Sequence, residues 1–339
     1  MTLPKRVTIT DVAEAAGVAA STVSRALSTP GRVNAATREH ILEVAGRLGY
    51  VPNPNARAMS SGRTHTYALL VPDITNPYFA GAIKGAERAA AAAGKTLVLG
   101  DTQESPSVER ELVQRLGPAV DGLVIAAARG TDEDLAAAAG RHRLALVNRT
   151  LPGVPGVPGV PSVVADYDSG TRQIVDHLVS LGHESLVFLA GPHESWSGAR
   201  RWAGLQAAAD ASGIEARRLG PYQPTLQGGP AAADAALAAK ATAIVCHNDM
   251  LAIGVLRRLA GRGVRVPDDV SVVGFDDMFG ADFCQPALTT LAERTEDAGA
   301  CAIDLLLRPG TAATVVVPTQ LKVRDSTGPR PGRRPARRR

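Results

Sequence analysis

Residues 7–27 read VTITDVAEAAGVAASTVSRAL and residues 33–59 read VNAATREHILEVAGRLGYVPNPNARAM. Thr8 followed by Asp11 is a capping-box-like start, because both side chains can satisfy free N–H groups at a helix N-terminus. The helix it opens runs from about Ile9 to Ala16, and Gly17 stops it by accepting the left-handed conformation. A second short helix begins near Ala20 and carries Ser21, Thr22, Val23, Ser24, Arg25 and Leu27. Val23, Ala26 and Leu27 share a face and point to a small core, while Ser21, Ser24 and Arg25 fall on other faces. Asn34 caps a third helix whose apolar stripe is Ile41, Leu42, Ala45 and Leu48, and Gly49 ends it. Three short helices with a tight turn between the first two fit a helix-turn-helix. One such helix suits the major groove, where arginine can donate two bonds to guanine. As a pattern alone, an ordinary three-helix cap fits equally well.

Beyond residue 63 the periodicity changes. TYALLV, TLVLG, GLVIAAA, LALVN, SLVFLA, TAIVCHND and SVVGFDD read as buried strands. Between them FAGAIKGAERAAAAAG, SVERELVQRLG, TRQIVDHLVSLG, GARRWAGLQAAADASG and MLAIGVLRRLAG read as helices. Near-continuous apolar strands alternating with helices define an α/β fold of parallel sheets covered by helices on both faces. About 260 residues is long for one such sheet, so two subdomains are expected. The stretch LPGVPGVPGVPS (151–162) holds a tandem Gly-Val-Pro repeat. It is too short for a solenoid and reads as a local loop expansion near a crossover.

Composition bounds the function. The chain has 339 residues, 45% apolar and 21% charged, as in a folded globular protein. Cys246, Cys284 and Cys301 are far apart and lack CxxC spacing. That argues against a zinc site or a disulfide framework and suits a reducing, cytoplasmic setting. The segment MTLPKRVTITD has no apolar h-region, so no signal peptide is expected, and no apolar run is long enough for a membrane span. The net charge of +4 is unevenly spread. Residues 1–65 hold eight Lys/Arg against four Asp/Glu, and the tail from Thr327 holds six arginines and no acid. The body between is acidic, so a polyanion is the expected partner of the ends. The tail 327–339, which closes with RPGRRPARRR, reads as disordered and solvated, with a capacity for salt-sensitive, sequence-independent contact to nucleic acid.

The two N-terminal stretches resemble the lac repressor (LacI/GalR) family, nearly unbroken over about fifty residues. The resemblance implies a helix-turn-helix DNA-binding domain over 1–51, a hinge helix over 52–63 and an effector-binding, dimerising body over 64–326. It implies double-stranded DNA as partner, read by a homodimer at a pseudo-palindromic operator with a central CG step. Ala20, Ser21 and Arg25 fall at the base-reading positions. Thr8, Thr22, Ser24 and Asn34 fall where phosphates are contacted or helices capped. Ala19 departs from the serine usual there, so a cap is missing. In the hinge, Asn53 is a good N-cap, Pro54 suits the first helical position and Arg57 lies one turn on. The segment is too short to be helical alone and is expected to order on DNA. Met59 stands where the family carries a leucine that wedges into the minor groove.

The resemblance continues into the body at PDITNPYF, AGPHESWSGARRWAG, CHNDMLAIG, VVGFDD and PALTT. It implies a periplasmic-binding-protein-like body, with one subdomain over about 64–163 and 293–318 and the other over about 164–292 and 319–326. In open parallel sheets ligands bind beyond the carboxyl ends of the strands, and polar residues gather there. Carried over position by position, Arg201, Asn248 and Asp276 are effector contacts, with Asn76, Tyr78, Phe79, Asp166, Ser195, Ser197 and Tyr222 as neighbours. Asp249 and Asp277 are read as structural, in capping or interdomain hydrogen bonds. Ser195 stands where purine-responding members carry arginine, which favours a sugar-like effector.

Two other classes share parts of this pattern. An exported sugar-binding protein shares the body fold, but the N-terminal helices and the absent signal segment oppose it. For an enzyme, Asp276–Asp277 and Cys246–His247 lack any partner constellation, and neighbours on a strand point to opposite faces. No cofactor or metal is expected. The expected mechanism is repression controlled by ligand: binding between the subdomains changes their angle, then the spacing of the hinges, then the entry of Met59 into the groove. Corepression would use the same parts, and activation in place of repression would depend on where the operator lies.

Overall fold

The computed structural model describes residues 7–28, 30–51, 62–151, 153, 159–308 and 313–332. Two compact units result, residues 1–65 and 66–339. In the first, α1 (Ile9–Ala16), α2 (Ala20–Ser28) and α3 (Ala35–Arg47) follow the expected order. The capping box at Thr8 is complete: the hydroxyl accepts from the Asp11 N–H, and the Asp11 carboxylate accepts from the Thr8 N–H at 2.7 Å. Gly17 closes α1 at φ 65°, a conformation that glycine adopts without a Cβ clash. Asn34 caps α3 by accepting from the Ala36 N–H at 2.9 Å. Helix α2 starts from Ala19, whose carbonyl accepts from the Thr22 N–H at 2.8 Å. An alanine there supplies no capping oxygen, a loss of about 1 kcal/mol.

The core of this unit includes Val12, Ala16, Val23, Ala26, Ile41, Val44 and Ala45. It corrects the expected stripe of α3: Leu42 and Leu48 are exposed, and Val44 is buried in their place. Leu42 follows Ile41 by one residue, a turn of about 100° that carries it off the buried face. The proposed hinge positions Asn53, Arg57 and Met59 lie outside the described residues.

The second unit holds two six-stranded sheets in the orders β11-β5-β4-β3-β1-β2 and β12-β10-β9-β8-β6-β7. The first sheet takes β1 (Thr66–Val71), β2 (Thr96–Asp101), β3 (Gly122–Ala126), β4 (Leu144–Val147), β5 (Ser162–Ala165) and β11 (Thr314–Val317). The second takes β6 (Ser185–Leu189), β7 (Glu215–Leu219), β8 (Ala243–Cys246), β9 (Ser271–Asp276), β10 (Thr289–Glu293) and β12 (Thr319–Lys322). All neighbours pair in parallel except β10 with β12. The helices are α4 (Tyr78–Ala92), α5 (Pro106–Leu116), α6 (Asp132–Ala139), α7 (Tyr167–Ser180), α8 (Trp196–Ser212), α9 (Gly229–Ala238), α10 (Asp249–Gly261) and α11 (Thr295–Leu307). Among the described residues no helix is long and apolar enough to cross a membrane.

The chain passes between the sheets three times: after β5, after β10 and between β11 and β12. Glu293 is the last residue of β10, at the second passage. Three sequence expectations need correction. TLVLG is not a buried strand: β2 is a sheet edge, with Val98 and Leu99 37% and 38% exposed. The tail is not disordered from Thr327. The Thr327 hydroxyl bonds to Thr289 Oγ1 at 2.9 Å, the Gly328 N–H donates to Ser271 Oγ at 3.1 Å, and the Arg330 N–H donates to the Leu181 carbonyl at 3.0 Å. Residues 333–339 lie outside the described residues. At the Gly-Val-Pro loop, Leu151 and Val160 form an antiparallel bridge that ties its ends, and 154–158 lie outside the described residues.

Helices α4 and α11 approach so closely that side chains are excluded between them. A Cβ on Gly299 would lie 2.0 Å from the Ala82 carbonyl oxygen, and one on Gly85 would lie 1.9 Å from that of Glu296. Gly299→Ala therefore forces the helices apart and lowers stability by about 1–3 kcal/mol. Urea denaturation of the full chain checks this.

Candidate functional site

On the first unit, Ser21 and Arg25 are exposed, and Ala20, Thr22 and Ser24 are partly exposed on the same short helix. The Arg25 side chain lies back along α2, donating from Nε to the Ser21 carbonyl at 3.2 Å and from Nη2 to Ser21 Oγ at 3.3 Å. Its stem is thereby held on the outer surface of the helix. Thr8 and Asn34 are exposed and spend their side-chain oxygens on the caps of α1 and α3.

In the second unit the strand ends converge on a narrow cleft with about 30 Å³ of free space. Six of the predicted residues line it: Asn76, Tyr78, Ser197, Arg201, Asn248 and Asp276. The first two follow β1, and the others belong to the part of the chain that builds the second sheet. Glu104, Arg129, Asn148 and His247 line it too. The cleft shares Asn76, Glu104 and Pro224 with a wider mouth of about 570 Å³, where Tyr222 sits.

Arg201 is the centre of the site. Its side chain is 4% exposed. Nη1 donates to the His247 carbonyl at 2.6 Å, and Nη2 donates to Asp276 Oδ1 and Glu293 Oε1, each at 2.9 Å. The guanidinium carbon lies 4.6 Å from the Phe275 ring centroid and 5.2 Å from that of Tyr167. The other oxygen of Glu293 accepts from the Tyr78 hydroxyl at 2.6 Å and from Asn148 Nδ2 at 3.2 Å. Asn148 Nδ2 also donates to the Tyr78 hydroxyl. One carboxylate therefore joins Arg201 on α8 to Tyr78 and Asn148 on the opposite wall. Burial, and next the Glu293 charge, raise the Tyr78 pKa well above its ordinary value and keep the hydroxyl a donor.

The backbone is strained where these groups stand. Ala127, Asn148, Asp276 and Asp277 have φ of 47°, 52°, 111° and 50°. Non-glycine residues in such conformations each cost about 1–3 kcal/mol and cluster at functional sites. Two glycines make room for His247: a Cβ on Gly191 would lie 2.6 Å from its ring, and one on Gly198 2.9 Å. Burial, and next the charges of Arg201 and Arg129, hold the His247 imidazole neutral. Arg129 is held by Glu104, which accepts from Nε at 2.6 Å, and by Glu109, which accepts from its backbone N–H at 2.8 Å.

The other predicted contacts lie elsewhere. Phe79 is buried in the core of the first sheet and packs edge-on to Tyr78, with ring centroids 5.0 Å apart. Ser195 caps α8 by accepting from the Gly198 N–H at 3.1 Å. Asp166 caps α7 by accepting from the Ser169 N–H at 3.0 Å. Asn248 both lines the cleft and caps α10, its oxygen accepting from the Leu251 N–H at 3.0 Å. Asp249 accepts from Thr290 Oγ1 at 2.6 Å and the Met278 N–H at 3.0 Å, and Asp277 accepts from Arg324 Nη2 at 2.6 Å. Glu293, Arg129, Glu104 and His247 were not singled out from the sequence as contacts. The signal for Glu293 is slight, a single carboxylate closing the short strand TTLAE.

A small helix-turn-helix with an exposed arginine on its second helix, followed by two largely parallel sheets around a polar cleft, defines a DNA-binding regulator with a ligand-sensing body. Residues 8–53 match the family model for bacterial regulatory proteins of the lacI family, and residues 175–327 match that of the periplasmic binding protein-like domain. The chain is 31% identical over 337 residues to the HTH-type transcriptional regulator DegA of Bacillus subtilis strain 168, covering 96% of this chain and 99% of the relative. Among solved structures, the lac repressor dimer bound to operator and the anti-inducer ONPF matches with a TM-score of 0.82 at 27% identity, covering 96% of this chain and all of that one. The regulator CelR in complex with cellobiose matches with a TM-score of 0.67 at 31% identity, covering 95% and 100%. The chain belongs to the LacI family of DNA-binding transcriptional regulators.

Removing Arg201 leaves two buried carboxylates without their partner. Arg201→Met is expected to lower stability by about 3–5 kcal/mol, measured as a shift in urea midpoint. Burial pushes the Asp249 carboxyl from its ordinary 3.8 up to about 7. Between those values the folded chain holds the extra proton, so this group's contribution to stability falls as pH rises. The stability lead of wild type over Asp249→Asn should shrink from pH 5 to pH 8, as read from paired denaturation curves.

Proposed function

We propose that this protein is a cytoplasmic repressor that binds a pseudo-palindromic operator as a homodimer and is controlled by a sugar-like effector in the cleft of its body. The observation that carries this reading is the Arg201–Glu293–Tyr78–Asn148 network, which joins the two walls of the cleft. A ligand that enters among these groups must exchange hydrogen bonds with both walls, so its binding is coupled to their separation. Two solved relatives hold sugar compounds in the same fold: CelR holds cellobiose, and a lac repressor is bound to ONPG. Among the most similar relatives, CytR of Escherichia coli is a repressor. Its relatives are regulators, and the site offers no catalytic constellation, so the cleft is read as a sensor with no turnover.

In this reading Ala20, Ser21 and Arg25 read bases, while Thr8, Thr22, Ser24 and Asn34 set the register on the backbone. Asn53 and Arg57 belong to the hinge, and Met59 wedges a central CG step. Arg201, Asn248 and Asp276 hold the effector from one wall, with Asn76, Tyr78 and Ser197 around them and Tyr222 at the mouth. By linkage, operator DNA weakens the effector by the same factor as the effector weakens DNA.

Selection of random duplex DNA by the purified chain at fixed salt tests the first half. A two-fold motif with a central CG step is the expected result. Met59→Ala should weaken binding to that motif far more than to random duplex. Equal losses on both would end the wedge assignment.

A further inference from the structure

We infer that the groove between α5 and α6 is a second ligand site, which takes a small carboxylate with an apolar body and relays its occupancy to the cleft. The relay rests on the proposed reading of the cleft as the effector site; the binding does not. The groove lies on the face of the first sheet turned away from α4 and α11. Helices elsewhere in this unit pack closely, as α4 does on α11 and α9 on α10, but α5 and α6 stand apart. The sequence accounts for the gap. After Leu135, α6 continues as four alanines, so Ala137 and Ala138 carry no side chain long enough to fill the space beside α5. A pocket of about 260 Å³ is left, somewhat smaller than those that hold drug-sized ligands.

The groove has an apolar floor and two unlike ends. Val113 of α5, Ile125 of β3, and Leu135 and Ala138 of α6 make the floor. At the first turns of the two helices the polar groups are already paired. Arg110 Nη1 donates to Asp134 Oδ2 at 3.0 Å across the gap, and the buried Glu109 carboxylate accepts from the N–H groups of Arg129 and Gly130 at 2.8 and 3.0 Å. Towards the last turns Gln114, Arg141 and His142 line the groove, and among the described residues their side chains form no hydrogen bond or ion pair. A guanidinium with open bonding beside an apolar floor suits an anion whose body is buried while its head is bound. An aromatic or branched aliphatic carboxylate has that form. A sugar does not, because its hydroxyls would lie on the floor without partners.

The paired end of the groove leads to the cleft. Arg129, whose N–H Glu109 holds, lines the cleft and donates there to Glu104 at 2.6 Å and to the Ala127 carbonyl at 2.9 Å. The loop 127–130 is thus anchored from the groove by one carboxylate and faces the cleft with one guanidinium. Space around the anchor is tight: a Cβ on Gly130 would lie 2.8 Å from Glu109 Oε1. A ligand packed against Val113 and Leu135 fixes the spacing of α5 and α6, and with it the carboxylate that positions Arg129. The two sites share that element, so each ligand changes the affinity of the other by the same factor.

Titration calorimetry on the full chain tests the binding. The probes are benzoate and 4-methylpentanoate, the amide of each, and acetate as an anion without a body. At least one of the two larger carboxylates should bind, with its amide and acetate weaker by about tenfold or more. Ala137→Trp, which fills the groove from an exposed position, should abolish that binding. Arg141→Gln, a surface change that keeps the test open should the tryptophan variant fail to fold, should weaken it by about tenfold. No binding of either carboxylate to wild type overturns the inference, and so does binding that survives both substitutions unchanged. The relay is read with the selected operator. A saturating probe should shift the operator affinity of wild type several-fold and that of Ala137→Trp not at all. A probe that binds in the groove without such a shift overturns the relay and leaves the site standing. Failure to select any operator would count against the proposed operator alone, because calorimetry decides the groove without DNA.

Discussion

The arrangement of the body depends on one buried charge cluster. Arg201 sits out of water between two carboxylates, and such a cluster is tolerated only when every charge has a partner at close range. Its desolvation cost is offset by two carboxylate bonds at 2.9 Å, one carbonyl bond and two aromatic faces. Glu293 gives the cluster its reach. It ends β10 in the second sheet, and the chain then enters α11, which packs on α4 of the first. The residue that neutralises Arg201 therefore lies at a passage between the two halves, and its second oxygen is held by Tyr78 and Asn148 from the opposite wall.

The strained backbone around the cluster follows from the same requirement. Strand ends must turn sharply to bring polar side chains inward while their carbonyls and amides stay paired. Asn148 does so at φ 52°, where its amide oxygen accepts from the Ala165 N–H at 3.3 Å. Asp276 does so at φ 111°, beyond the usual left-handed region, and the bond to Arg201 offsets the strain. Glycines supply space where side chains cannot yield. Without Gly191 and Gly198 the His247 ring could not lie where its carbonyl reaches Arg201.

How much of this was legible in the sequence depended on how local the cause was. Caps, a left-handed glycine and helical periodicity act within a few residues, and the bounds of α1 and the start of α2 were readable from them. The apolar strands were readable as strands, but an apolar run does not say whether a strand lies inside the sheet or at its edge, which is why β2 was misplaced. The polar strand β7, EARRL, carries no apolar run to announce it. The tail was misread because arginine content says nothing about Gly328, whose N–H meets Ser271, 57 positions earlier. Glu293 was least legible: its partners Arg201, Asn148 and Tyr78 lie 92, 145 and 215 positions away. The cleft residues implied by resemblance were more legible than the residue that ties the cleft's two walls together.

The network also constrains how a sensor of this kind can be tuned. A ligand shifts an equilibrium only by the difference in its affinity for the two states. Where the cleft walls are already joined by Glu293, an effector must replace bonds that the protein makes with itself, so only its surplus over those bonds is available to change the angle between the walls. Coupling energies of about 1–3 kcal/mol suffice for control of several-fold to a hundredfold, well within what an exchange of a few hydrogen bonds can supply. A cleft closed by its own charges therefore favours a reversible response, because the state without ligand is held by defined bonds. The same self-pairing explains why loss of one partner would be felt twice, as a buried unpaired charge in the fold and as a missing tie between the walls that the ligand acts on.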